Sequence, residues 1–156
     1  MSTSRVQQNY WAILAAAVAS FALEAGWYTF FFQPWLAGVG RTLQWSNGPG
    51  QRIAIQFPVA LVAAALIATS ISCVTQLTGP QTALRGIKVG ALLWFGFVFT
   101  TLITEYVFEV KPRLFEINAG FWLVGFVVMG AIVGGWKKKT AIHAVAAEER
   151  AVKVSE

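Results

Sequence analysis

The sequence has 156 residues, of which 56% are hydrophobic and only 12% charged, and its mean hydropathy is +0.60. Soluble domains usually carry about 25% charged residues, so the composition indicates an integral membrane protein. The net charge of +5 comes largely from Lys and Arg near the ends of apolar runs, which indicates membrane topology and not nucleic-acid binding. With one cysteine, Cys73, and one histidine, His143, we expect no disulfide, no metal site and no cofactor.

Four apolar runs follow one another along the chain, at about 10–32, 53–77, 87–108 and 117–136. Each is near or above the roughly 20 residues that a helix needs to cross a bilayer. Backbone groups in lipid must be hydrogen-bonded within their own segment, so these runs predict helices. The sequence therefore predicts an all-α integral membrane fold with four transmembrane helices, flanked by an N-terminus, 1–9, and a tail, 137–156.

The segments between the runs contain clear breaks. Pro34 is expected to end the first helix, and the apolar spacing after it predicts a short interfacial helix in the first outer loop. "SNGPG" then predicts a turn, and Pro112 is expected to stop the third helix. The start of the first run also resembles a cleaved signal peptide, with small residues near Ala19. Because the run continues through "WYTFFF" to a full span length, we expect it to be the first span.

The distribution of Lys and Arg predicts the orientation. Because cytoplasmic loops carry an excess of these residues, both termini are predicted to lie in the cytoplasm, with the protein in the bacterial cytoplasmic (inner) membrane. On the predicted cytoplasmic side are Arg5, Arg85, Lys88, Lys137, Lys138, Lys139, Arg150 and Lys153, and on the outer side Arg41, Arg52, Lys111 and Arg113.

Glu24 is a carboxylate inside the apolar stretch "FALEAGWYTFFFQPW", roughly 12 Å below the outer end of the predicted span. Inserting a charged residue at mid-helix costs about 2.5–3.5 kcal/mol, so such residues usually face protein or water. Either Glu24 is structural, bonded across helices or paired with Arg41 or Arg52, or it binds a proton or a ligand. The residues that share its helix face are Ser20, Trp27 and Tyr28.

In the predicted topology several other polar residues lie on the same outer side as Glu24. Glu105 lies near the outer end of the third span, where it can pair with Lys111 or Arg113, and Asn118 lies near the start of the fourth. The group is either an outward-facing polar pocket or a hydrogen-bonded clasp between helices. The candidate ligand-binding residues are Glu24, Trp27, Tyr28, Glu105, Asn118 and Arg52.

Two further patterns concern how the helices are related. "GIKVG" (86–90) and "GAIVG" (130–134) both have the G-x-x-x-G spacing, so Gly86, Gly90, Gly130 and Gly134 are predicted to pack the third and fourth helices together. "YTFFFQP" (28–34) and "YVFEVKP" (106–112) share the pattern Y-x-F-x-x-x-P, for which chance similarity is the preferred interpretation.

The stretches "LEAGWYTFFFQPWLAGVG" (23–40), "GALLWFGFVFTTLITEYVFE" (90–109) and "INAGFWLVGFVVMGAIVGGW" (117–136) together resemble the bacterial membrane family called domain of unknown function 1761. The resemblance covers roughly 9–136. It implies a small inner-membrane protein with four spans, and it supplies no activity. By matching positions it singles out Trp27, Tyr28, Pro34, Trp35, Glu105 and Asn118.

Three classes of function remain open from the sequence. The first is an oligomeric transport or small-ligand-binding protein with a polar site at Glu24. The second is a non-catalytic partner or assembly protein that docks a second copy or another membrane protein, with Glu24 as a structural clasp. The third is a lipid-modifying enzyme that uses Glu24 or Glu105 as a base. Because no nucleophile or metal set accompanies these carboxylates, we expect no enzyme.

Overall fold

The structure, a computed structural model, describes residues 7–41 and 53–137, and these are helical with no β-strand. The predicted "SNGPG" turn, Arg52 and nearly all of the tail lie outside the described residues. The helices are α1 (Tyr10–Phe30), α2 (Phe32–Gly38), α3 (Ile53–Leu77), α4 (Ala83–Leu93), a π-helical turn (Trp94–Phe99), α5 (Thr100–Glu109) and α6 (Pro112–Gly135).

Four spans are long and apolar enough to cross a membrane, which confirms the predicted all-α integral membrane fold. The first is α1, the second lies within α3, the third combines α4, the π turn and α5, and the fourth is α6. Side chains on their outer faces are apolar and exposed; Phe30 and Phe108, for example, are 80% and 83% exposed. Contact with lipid tails would cover these apolar side chains at no cost in free energy.

The bounds of the spans differ from the predicted ones where a proline was taken as a stop signal. Pro34 does not end the first helix, because α1 already ends at Phe30 and Pro34 lies in the first turn of α2. A proline is tolerated there, since the N–H groups of a first turn have no helical partner. Pro112 is likewise the first residue of α6, while α5 ends at Glu109 before Val110, whose φ of 55° is left-handed.

Helix α6 is the centre of the bundle. Half of the residues in its most apolar 18-residue stretch are buried, against 17–22% in the corresponding stretches of the other three spans. Its most extensive contact is with α4, followed by the contact with α1, and α3 packs against α1 and α6. The end of the bundle where α1 begins is called the Asn9 end below, and the end where α6 begins is called the Pro112 end.

The crossing of α4 and α6 is built from glycines. A Cβ atom placed on Gly86 would overlap the backbone carbonyl of Gly130, and one placed on Gly130 would overlap the carbonyl of Gly86. Gly90 lies in the same way against the carbonyl of Phe126, and Gly134 against that of Thr82. The two G-x-x-x-G segments therefore bring the helix backbones into direct contact, which only residues without a side chain allow.

The buried core is concentrated toward the Asn9 end. Ile13 and Ala16 of α1 face Ala68 and Ile71 of α3 in this core, all four being less than a tenth exposed. No residue of the π turn or of α5 is buried. The main buried cluster therefore lies toward the Asn9 end, while residues at the start of α6, such as Leu114 and Ile117, are buried as well. The core is completed by Val89, Phe126, Met129 and Val133.

Candidate functional site

Asn118 of α6 joins the first and third spans at the Pro112 end. The Tyr28 hydroxyl donates a hydrogen bond of 2.7 Å to Asn118 Oδ1, and Asn118 Nδ2 donates one of 2.5 Å to the Tyr106 hydroxyl. The ring of Tyr28 also contacts that of Phe121, with centroids 5.4 Å apart. One amide thus uses both its acceptor and its donor to hold two other helices, and we call Tyr28, Asn118 and Tyr106 the Asn118 clasp.

Two indoles reinforce the clasp on either side of Asn118. Trp27 Nε1 donates to the Ile117 carbonyl at 3.1 Å, and Trp94 Nε1 donates to the Ala119 carbonyl at 3.2 Å. A tryptophan that is partly buried among apolar groups needs a partner for its N–H, and these carbonyls provide one. The first and third spans are therefore fixed to the same turn of α6.

The π turn lets the third span make both of its contacts with α6. In an uninterrupted α-helix two residues twelve positions apart, such as Trp94 and Tyr106, would lie about 120° apart around the axis. The wider π turn changes that angle, and both side chains bond to α6. The Thr100 hydroxyl donates to the carbonyl of Gly96, and that of Thr101 to the carbonyl of Phe97, so the altered backbone is hydrogen-bonded within the span.

The repeated Y-x-F-x-x-x-P pattern has a structural counterpart. Its two tyrosines, Tyr28 and Tyr106, bond to the same asparagine from two different spans. Its two prolines, Pro34 and Pro112, each lie in the first turn of the next helix. The pattern thus marks two helix ends that converge on Asn118, a relation that the sequence comparison alone gave no reason to prefer over chance.

Glu24 lines a groove between α1 and α3 at the Pro112 end, called the Glu24 groove below. Its volume is about 460 Å³. Phe21 and Phe57, which face each other edge to face with ring centroids 5.4 Å apart, form part of its wall, and Phe57 is 53% exposed. The groove is therefore open to whatever surrounds the bundle. Its remaining lining residues are Ala25, Tyr28, Gln56 and Ala60.

Within the described part of the chain Glu24 makes no hydrogen bond and no ion pair. The side chain is only partly buried, and it lies roughly 9 Å from the end of α1 at Phe30 rather than 12 Å from the predicted end. The hydrogen bonds to α6 at this end are made through Asn118, Trp27 and Trp94, whereas Glu24 faces a cavity. Arg52, the other proposed ion-pair partner, lies outside the described residues.

Glu105 does not join Glu24 or the clasp. It is exposed on α5, and the cations expected to pair with it pair elsewhere. Lys111 Nζ lies 2.8 Å from Glu109 Oε2, and Arg113 Nη1 lies 3.9 Å from Glu116 Oε2. The structure thus brings Tyr28, Trp27 and Asn118 together, places Glu24 beside them through Tyr28, and leaves Glu105 apart.

Comparison with known proteins places this arrangement in a family. The model of the family described as "Protein of unknown function (DUF1761)" matches residues 11–134 of the chain. The chain belongs to this family. The match confirms the resemblance given above and contains every residue of the Asn118 clasp and of the Glu24 groove. No curated protein and no solved structure matches this DUF1761 chain in the corresponding searches.

Several residues of the DUF1761 site were not among the sequence candidates. Tyr106 was noted only as part of the repeated pattern. Trp94 was not singled out, because regular helical spacing does not show that its side chain faces α6. Phe21 and Phe57 carry no chemical signal that distinguishes them from other lipid-facing phenylalanines. Gln56 is the residue that the sequence could have indicated as part of the groove, since it is a polar residue in the part of α3 that faces Glu24.

Proposed function

We propose that this DUF1761 chain is a small-ligand-binding membrane protein of the transport type, whose Glu24 groove takes a lipophilic organic cation. The observation that supports the proposal is that Glu24 lines an open cavity and has no ion pair among the described residues. A volume of about 460 Å³ lies within the range of small-molecule sites.

The chemistry of the lining favours an organic cation over other ligands. A neutral ligand would leave the carboxylate without a counter-charge at a depth where charge is costly. Divalent metal ions take several oxygen ligands, and Glu24 is the only carboxylate among the described residues that line the groove. The rings of Phe21, Tyr28 and Phe57 suit a large cation, because aromatic faces attract positive charge.

A proton and an organic cation would compete for the same carboxylate. Glu24 can carry one or the other, so uptake of the cation would release a proton and protonation would release the cation. This exchange is the simplest way in which the groove would couple transport to a proton gradient. We further propose, from the distribution of Lys and Arg, that both termini lie in the cytoplasm of a bacterial cell. Oligomerisation and the absence of enzymatic activity remain predictions.

The first test is binding of tetraphenylphosphonium to the purified full chain. Glu24→Gln should weaken binding about 10- to 100-fold, the range expected for losing a charge-assisted contact. Binding to the parent should fall as the pH is lowered through the titration of Glu24, whereas the residual binding to Glu24→Gln should not depend on pH. Isothermal titration calorimetry in detergent measures both effects.

Two controls make this result specific. Glu105→Gln removes the same charge from an exposed site outside the groove and should leave binding unchanged. Triphenylphosphine oxide, a neutral compound of related shape, should bind to the parent and to Glu24→Gln with the same affinity. A parent that does not bind the cation, or a Glu24→Gln variant that binds it equally well, would refute the proposal.

A further inference from the structure

A second cavity lies at the Pro112 end, between α1, α2 and α6. Its volume is about 310 Å³, and none of the described residues that line it also lines the Glu24 groove. Two of its residues, Arg113 and Glu116, carry opposite charges, and the others form a largely apolar wall. That wall consists of Trp27, Phe31, Pro34 and Ile117.

The two charged groups of this cavity are available to a ligand. Arg113 Nη1 and Glu116 Oε2 are 3.9 Å apart, which is longer than a hydrogen bond, and their side chains are 74% and 67% exposed. An exposed pair at this distance contributes little to stability. A ligand with an anionic and a cationic group could therefore engage both side chains without breaking a strong contact.

The wall of the cavity is held in place. Trp27 donates its N–H to the Ile117 carbonyl at 3.1 Å, and its ring contacts Phe31 with centroids 5.1 Å apart. A fixed indole face attracts an ammonium group that is brought beside it. The cation of a ligand would thus find both a carboxylate, from Glu116, and an aromatic face, from Trp27, among the residues that line the cavity.

The position of the cavity indicates the source of such a ligand. It lies where α1 ends and α6 begins, at the end of two transmembrane spans, which is the level of lipid headgroups. We propose that it binds a zwitterion with a phosphate and a primary ammonium group, the phosphate at Arg113 and the ammonium between Glu116 and Trp27. Phosphatidylethanolamine carries this headgroup, and free glycerophosphoethanolamine carries it without the lipid tails.

The primary ammonium gives the proposed site its selectivity. A primary ammonium donates hydrogen bonds to the Glu116 carboxylate, whereas the quaternary ammonium of phosphatidylcholine has no N–H to donate. Phosphatidylglycerol has the phosphate but no cation for Glu116. Both lipids should therefore bind less well than phosphatidylethanolamine.

Native mass spectrometry of the full chain tests the proposal, with equal amounts of the three lipids carrying the same acyl chains. The parent should retain phosphatidylethanolamine preferentially. Arg113→Gln and Glu116→Gln should each lower that retention about tenfold. Lys111→Gln removes a neighbouring charge that pairs with Glu109 and does not line the cavity, so it should retain the lipid like the parent.

The outcomes are decisive in either direction. Equal retention of the three lipids, a preference for phosphatidylglycerol, or parent-like retention by both Arg113→Gln and Glu116→Gln would overturn the proposal. Free glycerophosphoethanolamine is then titrated against the complex. Displacement at concentrations similar to those of the lipid indicates that a soluble zwitterion is the ligand, and failure to displace indicates the membrane lipid; both support the zwitterion site.

Discussion

Replacing Gly130 by alanine should destabilise the bundle by about 1–3 kcal/mol, the usual cost of forcing an extra methyl group into a packed interior. The new methyl group would overlap the backbone carbonyl of Gly86, which has no rotamer through which to move aside. Helices α4 and α6 would have to separate, and the core beside their crossing would loosen. The free energy of unfolding, measured by titrating mixed micelles with sodium dodecyl sulfate, reports the loss.

Gly26→Ala is the matched control for this experiment. Gly26 also lies within a transmembrane helix, but a Cβ atom placed on it meets nothing within 4 Å. Alanine is the better helix former, so this variant should be as stable as the parent or slightly more stable. The account of the glycine crossing would be wrong if Gly130→Ala were as stable as Gly26→Ala.

Replacing Asn118 by leucine should disconnect the first and third spans from α6 at the Pro112 end. Hydrogen bonds between transmembrane helices contribute about 0.6 kcal/mol on average and up to about 1.7 kcal/mol. Asn118→Leu removes two, to Tyr28 and Tyr106, so we expect a loss of about 1–3 kcal/mol in the same unfolding titration. Because Tyr28 also lines the Glu24 groove, cation binding should weaken as well.

A double-mutant cycle separates the clasp from ordinary packing. Tyr28→Phe removes only the hydroxyl group and should be destabilising in the parent. In the Asn118→Leu background the same change should cost nothing, because the hydroxyl has already lost its acceptor. An equal cost in both backgrounds would show that the Tyr28 hydroxyl acts through a partner other than Asn118.

The number of spans and the glycine crossing follow from local sequence features. A run of about 20 apolar residues can satisfy its backbone in lipid only as a helix, and G-x-x-x-G is the spacing that brings two helix backbones together. The bounds of the helices were less predictable, because a proline that stops one helix and a proline that begins the next look alike in the sequence. Pro34 and Pro112 both turned out to lie in first turns.

The candidate site was only partly predictable for a different reason. Glu24 stands out because a charge in an apolar run is costly, and Asn118 because it opens an apolar helix. The face of the third span that meets α6 depends on the π turn, which no residue pattern in "WFGFVF" predicts. Helical spacing without that turn puts Trp94 and Tyr106 on different faces, whereas both bond to α6 in the structure.

The glycine crossing and the two cavities described above lie in different halves of the bundle. Gly86, Gly90, Gly130 and Gly134 hold α4 and α6 together near the Asn9 end, where α1 and α3 also meet through alanines. Aromatic side chains such as Trp27, Tyr28 and Phe57 line the cavities between helices toward the Pro112 end. The Glu24 groove and the second cavity, lined by Arg113 and Glu116, both lie toward the Pro112 end.

The most direct test of the central claim is chemical labelling of Glu24 by dicyclohexylcarbodiimide, an apolar reagent that modifies carboxyl groups within membranes. If Glu24 faces an open groove that takes a cation, peptide mass spectrometry will find the label on Glu24, and tetraphenylphosphonium will suppress it. Absence of label on Glu24 would show that the carboxylate is occupied by another part of the protein. Labelling that the cation does not reduce would show that the groove is not the cation site.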